Sequence, residues 1–165
     1  MKKALILLVE DNSMDIELTL DSFRQVGLTN RVEIAKTGET ALDYVFGRGR
    51  FEDREAFPVP DLVLLDLKLP GISGHEVLHE MKSNELTRRI PVVVLTSSRE
   101  EGDRMICYDS GVNSYLVKPV DFDEFLVVAR AIGDYWLTIN VGPPDVLGAR
   151  GVKGGGSGIG KNESS

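Results

Sequence analysis

Three carboxylates, one hydroxyl and one ammonium fall at the ends of separate apolar runs of this 165-residue chain. Glu10 and Asp11 follow the run 4–9 (ALILLV), and Asp66 lies near the end of 62–67 (LVLLDL). Thr96, with Ser97 behind it, closes 92–96 (VVVLT), and Lys118 follows 114–117 (SYLV). Carboxylates forced together repel, and they take up protons unless a positive charge sits among them. A hard divalent cation held by oxygens answers that need, and Mg2+ commonly takes one or two carboxylates with waters and a phosphate. Lys118 offers a point charge to an anion and Thr96 a hydroxyl donor. Cation, lysine and hydroxyl could each meet one developing oxygen charge in phosphoryl transfer. Asp66, in mid-pocket on the central run, is the candidate nucleophile.

This grouping requires that the runs lie side by side. Residues 4–9, 62–67 and 92–96 are continuously apolar, as strands buried on both faces are. Residues 31–35 (RVEIA) alternate and read as a more exposed strand, and 114–117 as the last one. Ile16, Leu20, Phe23 and Val26 recur at helical spacing after Asn12 or Ser13, either of which can cap, and before Gly27, which can end the helix. Further helices are predicted from Gly38 to Phe46, over 75–83 and 100–109, and from Asp121 to Leu137. The last carries Phe125, Val128, Ala129 and Ile132 on one side. The segment 47–60, polar with glycines and prolines, reads as a long loop. Five alternating units predict an α/β protein, a doubly wound five-stranded parallel sheet with helices on both faces. Ligands in such sheets sit beyond the carboxyl ends of the strands, where the polar residues fall.

The chain is 42% hydrophobic and 27% charged, with 19 basic against 26 acidic side chains. Its length favours one domain that buries roughly 70% of its unfolded surface and needs no staple. The lone Cys107 forms no internal disulfide and fits a reducing, cytoplasmic setting. No apolar run approaches the roughly 20 residues of a membrane span. The short run after Met1-Lys2-Lys3, ended by Glu10-Asp11, does not fit a signal peptide. A net charge of −7 argues against nucleic acid as the main partner. Residues 138–165 set Arg150, Lys153 and Lys161 against Asp145 and Glu163, so the acidic excess lies within 1–137. We expect 1–137 to be the folded domain, 138–147 with Pro143-Pro144 an extended connector, and the glycine-dense 148–165 a flexible tail.

Glu10-Asp11-Asn12, Leu62–Gly71 (LVLLDLKLPG), Gly74, Val92–Ser97 (VVVLTS) and Ser114–Pro119 (SYLVKP) resemble, in this order, the receiver domain of two-component response regulators. The resemblance covers 1–137. The loop 47–60 and the ending Tyr135-Trp136-Leu137 resemble single-domain regulators that partner phytochrome-type histidine kinases. The resemblance implies the flavodoxin- or CheY-like strand order 2-1-3-4-5. It implies that Asp66 takes a phosphoryl group from a histidine of a sensor kinase. Asp11 would ligate Mg2+ directly, Glu10 through water, and the backbone carbonyl of Lys68 would complete the protein ligands. Thr96 would bond a phosphoryl oxygen, Lys118 would pair with it, and a cis Lys118–Pro119 bond would aim the lysine. Tyr115 would be the aromatic switch that turns inward when Thr96 moves. Lys68 and Ser98 occupy positions that vary in the family and set phosphoryl lifetime.

On this reading the chain is a phosphoacceptor that signals by protein contact and catalyses only its own phosphorylation and dephosphorylation. The residues after Leu137 are too few for a usual DNA-binding output domain, and the apolar last helix suggests a homodimer through that helix and the last strand. Four other readings compete. His75-Glu76-Val77-Leu78-His79 matches the zinc-protease pattern H-E-x-x-H, but with no third histidine Glu100 or Glu101 would have to complete the site. At about 100° per residue, Val77, Leu78 and Met81 point away from the histidines, which are therefore expected to face water. Gly155 to Lys161 (GGSGIGK) mimics a phosphate-binding loop without its strand, helix or Ser/Thr. Aspartate-nucleophile phosphatases resemble D-x-D-x-[TV], whereas this chain reads Asp66-Leu67-Lys68-Leu69-Pro70 and lacks the second, general-acid aspartate. The intact acidic pocket argues against a receiver-like scaffold with no chemistry. Phe122, Phe125, Tyr135 and Trp136 read as core and cover.

Overall fold

The computed structural model describes residues 4–118 and 122–134. Five parallel strands, β1 (Leu5–Val9), β2 (Arg31–Ala35), β3 (Leu62–Leu65), β4 (Val92–Thr96) and β5 (Ser114–Val117), form one sheet in the order β2-β1-β3-β4-β5. The helices α1 (Ser13–Gln25), α2 (Gly38–Phe46), α3 (Gly74–Lys82), α4 (Glu101–Asp109) and α5 (Phe122–Ile132) alternate with them. The fold and the strand order are those the sequence implied. Asp121 and Tyr135 to Leu137, expected in the last helix, lie outside the described residues, as do Pro119, the connector, the tail and the Gly155 to Lys161 stretch.

The apolar runs are strands because both of their faces are covered. Leu5, Leu7, Val9, Val63 and Leu65 pack toward α2 and α3, where Val77, Leu78 and Met81 are fully buried. Ile6, Leu8, Leu62 and Leu64 pack on the other face with Ile16 and Phe23 of α1 and Ala129 and Ile132 of α5. Each such aliphatic or aromatic side chain contributes about 1.5–3 kcal/mol on leaving water. The central strands are thereby fixed, and the residues that follow them inherit that rigidity.

Helix caps set where each helix begins. Asn12, not Ser13, caps α1 by accepting from Asp15 N–H at 3.0 Å. Thr37 and Ser73 do the same for α2 and α3. α3 starts hard against the end of β3. A Cβ on Gly74 would lie 2.3 Å from the Asp66 carbonyl oxygen and 2.6 Å from Leu67 Cα, so only glycine fits there.

The loop 47–60 is more anchored than its polarity suggests. It contains a short 3-10 turn, Gly49–Phe51. Phe51 and Phe57 pack edge-on, with ring centroids 5.1 Å apart, and close over Tyr44. Arg54 donates to the carbonyls of Val45 (2.8 Å) and Phe57 (2.9 Å). Arg31, on the border strand β2, donates to Ala56 O at 2.8 Å and ties the loop to that border. The opposite end of the sheet is looser. β5 is only half-buried along its length, and α4 buries Cys107 alone while Met105, Ile106 and Tyr108 stand exposed.

Candidate functional site

Sheet register brings the polar residues to one edge. Val9 pairs with both Ala35 and Leu65, so β1 and β3 end level. The ladder then runs one residue further on each side. Glu10 N–H donates to Ala35 O and Asp66 N–H to Val9 O, each at 3.0 Å, and Lys118 N–H donates to Thr96 O at 2.8 Å. Three of the functional residues are therefore held by backbone hydrogen bonds before their side chains make any contact.

Lys118 Nζ sits among the carboxylates, 2.6 Å from Glu10 Oε1, 2.9 Å from Asp15 Oδ2 and 3.3 Å from Asp66 Oδ2. Oxygens of Glu10, Asp11 and Asp66 all lie within 4.8 Å of one another. Glu10 and Asp66 are buried, whereas Asp11 is exposed at the mouth. Burial pushes the Glu10 carboxyl up to about 7; its hydrogen bond with Lys118 works against that rise, and the Asp66 charge adds to it. Burial disfavours the charge on Lys118, yet its bonds to Glu10 and Asp15 and the field of Asp66 prevail and hold its pKa above the ordinary lysine value.

One ammonium among this many carboxylates leaves the pocket short of positive charge. Asp66 Oδ1 is buried with no hydrogen-bond partner among the described residues. A buried acceptor left unmade costs about 1–3 kcal/mol. An oxygen-ligated divalent cation would complete it and neutralise the carboxylates around it, so the donor set fits such an ion. Thr96 ends the neighbouring strand, fully buried, with its hydroxyl accepting from Ser98 N–H at 3.3 Å. Tyr115 is half-buried and donates to Ser98 O at 3.1 Å. Lys68, two residues past Asp66, leaves the pocket with its side chain exposed.

The structure thus gathers Glu10, Asp11, Asp66 and Lys118 directly and sets Thr96 and Tyr115 on a shared neighbour, Ser98. It adds Asp15, which the sequence reading passed over. Asp15 stands on the first turn of α1, three residues after its Asn12 cap, and no spacing in the sequence singled it out. One expectation is corrected. His75 does not face water: Nε2 lies 3.1 Å from Asp103 Oδ1, and its side chain is only 26% exposed. The helical wheel located the face turned to the sheet, but not the flank covered by α4. His79 is exposed as expected, and no cluster of metal-ligating residues among the described residues includes either histidine.

The response regulator receiver domain family matches the chain over residues 6–130. The regulatory protein FilR2 of Methanothrix harundinacea is 42% identical over 139 residues, covering 84% of this chain and 87% of FilR2. Response regulator Rcp1 of Synechocystis sp. is 37% identical over 132 residues, 80% of this chain and 88% of Rcp1. The crystal structure of Mn2+-bound Rcp1 matches with a TM-score of 0.77 and 35% identity, covering 86% of this chain and 99% of that one. The phosphorylated cyanobacterial phytochrome response regulator RcpA matches with a TM-score of 0.80 over the same shares, also at 35% identity.

Proposed function

Because the chain belongs to the response regulator receiver family, we propose that Asp66 accepts a phosphoryl group from a histidine of a sensor kinase and that the chain signals by phosphorylation-dependent protein contact. A carboxylate oxygen of Asp66 attacks phosphorus, the P–N bond to the donor imidazole breaks, and the bonding pair leaves with the imidazole. The observation that carries this reading is the buried, unpartnered Asp66 Oδ1 beside the Lys118 ammonium. Lys118 pairs with the other oxygen, Oδ2, so Oδ1 keeps its lone pairs uncommitted among the described residues and is available as a nucleophile.

Glu10, Asp11, Asp66 and the Lys68 carbonyl would hold a divalent cation, for which we propose Mg2+. When bound, the cation supplies positive charge to the phosphoryl oxygens as they become more negative. Lys118 offers one fixed charge to the same oxygens, and Asp15 and Glu10 hold its ammonium in place meanwhile. Thr96 supplies a hydroxyl to the phosphoryl group, and its movement is passed to Tyr115. The exposed Met105, Ile106 and Tyr108 of α4, with β5 and α5, form the surface that responds.

The likeness to RcpA supports a phytochrome-type kinase as donor, with the exchange taking place in the cytoplasm. Among the described residues, no helix is long and apolar enough to cross a membrane. The apolar content of α5, on which Phe122 and Val127 stand exposed, is the basis on which we propose self-association through α5 and β5. We assign 1–137 to the receiver and 138–165 to a connector and tail. The phosphatase alternative is not favoured, because Lys68 stands where that chemistry needs a second aspartate. Incubation with acetyl phosphate and Mg2+ tests the central step. Wild type should be labelled on one site and Asp66→Asn not at all. Equal labelling of both would remove Asp66 from its role.

A further inference from the structure

Outside the acidic pocket, α3 and α4 meet at a second cluster of polar side chains. His75 Nε2 lies 3.1 Å from Asp103 Oδ1, and the Ser98 hydroxyl donates to Asp103 Oδ2 at 2.5 Å. The Cys107 thiol, fully buried, lies 3.7 Å from His75 Nδ1. Burial pushes that thiol up to about 11, so it remains a protonated donor to Nδ1. In a neutral imidazole this leaves the proton on Nε2, directed at Asp103. Each bond in the chain has a donor and an acceptor.

Ser98 joins this cluster to the switch. Its N–H donates to the Thr96 hydroxyl at 3.3 Å, its carbonyl accepts from Tyr115, and its own hydroxyl is spent on Asp103. Should the Thr96 hydroxyl turn toward a phosphoryl oxygen and Tyr115 turn inward, the bonds that Ser98 makes to both must break or follow. Ser98 is not free to follow while Asp103 holds it, and His75 holds Asp103 from another helix. With Cys107 as its single buried side chain, α4 has little apolar packing of its own to fix it, so these hydrogen bonds weigh heavily in where it sits.

We propose that His75 is a positioning residue that, through Asp103, latches Ser98 and so opposes the movement of Thr96 and Tyr115 that follows phosphoryl transfer. The proposal rests on the reading of Asp66 as acceptor. Loosening the latch favours the switched arrangement, and by linkage a phosphoryl group or its mimic binds that arrangement more readily.

The test titrates beryllofluoride with Mg2+ into wild type, His75→Ala and His75→Gln and follows the Ser98 amide and the Tyr115 ring by NMR. His75→Ala should bind about three- to tenfold more tightly, the effect of losing one modest hydrogen bond that favours the unswitched form. His75→Gln, whose amide still reaches Asp103 as a donor, should return toward wild type. Without any ligand, the Ser98 and Tyr115 signals of His75→Ala should already shift toward their bound positions. Unchanged affinity with unmoved signals would overturn the latch and leave Asp66 as acceptor. If wild type itself binds no beryllofluoride, the acceptor reading fails and the latch that rests on it fails with it. Asp103→Asn provides the same readouts with the same expectations if His75→Ala does not fold.

Discussion

Tyr44 and Asp66 each carry a buried oxygen with no hydrogen-bond partner among the described residues. Their surroundings separate them. The Tyr44 ring packs with Phe51 and Phe57, and burial above all, with the nearby charge of Glu33 against those of Arg31 and Arg54, pushes its hydroxyl up to about 12, so it stays neutral. The Asp66 oxygen lies among two further carboxylates and an ammonium. An orphaned neutral hydroxyl costs about 1–3 kcal/mol of desolvation, which the buried ring that carries it can offset. An orphaned charged acceptor among other ligands is a group prepared for a cation or a phosphorus atom. A list of unsatisfied atoms therefore becomes informative only when the neighbours are read with it.

The contrast can be broken most forcefully at Phe51. Phe51→Ala should cost about 3–5 kcal/mol of folding stability, measured by urea denaturation. Labelling of Asp66 in the remaining folded protein should be unaffected. A loss of labelling would show that the loop and the pocket are not separate regions.

The pocket has its own signature in pH. Glu10 titrates near 7 in the fold against an ordinary 4.5. In metal-free protein its contribution to stability is complete below about 4.5 and is lost as pH rises through about 7, with a slope of at most about 1.4 kcal/mol per unit. Cation binding needs the carboxylate, so Mg2+ affinity should run the opposite way. It should rise up to about tenfold per pH unit below 7 and level off above it. Calorimetric titration from pH 5.5 to 8.5 checks this, and Glu10→Gln should flatten the dependence.

The smallest effect belongs to the other oxygen. Tyr44→Phe removes the unpaired hydroxyl and keeps the ring, so thermal unfolding should show stability unchanged or raised by about 1 kcal/mol. Marked destabilisation would mean that the hydroxyl has a partner, such as an ordered water, and would remove the contrast between the two oxygens.

The legible part of the molecule was whatever depends on the sheet. Continuous apolar runs identify strands covered on both faces, and parallel order then dictates that Glu10, Asp66, Thr96 and Lys118 share an edge. Contacts between helices were less legible. Asp15 reaches Lys118 because the Asn12 cap sets the angle of α1, and no periodicity records an angle. His75 lies on a flank of α3 that only the placement of α4 covers. The segment 47–60 is the loop that was expected, but its anchoring was not legible for a related reason: Phe51 and Phe57 are two rings in a polar stretch, and their partner Tyr44 lies on a different element.

The tie between Arg31 and Ala56 has a bearing on how copies of this chain behave at high concentration. A border strand offers unpaired backbone groups to any passing strand, and proteins guard such borders with charges and covering loops. β2 has both, an Arg31–Glu33 pair and the loop held over it. Strand-to-strand aggregation through β2 is discouraged there.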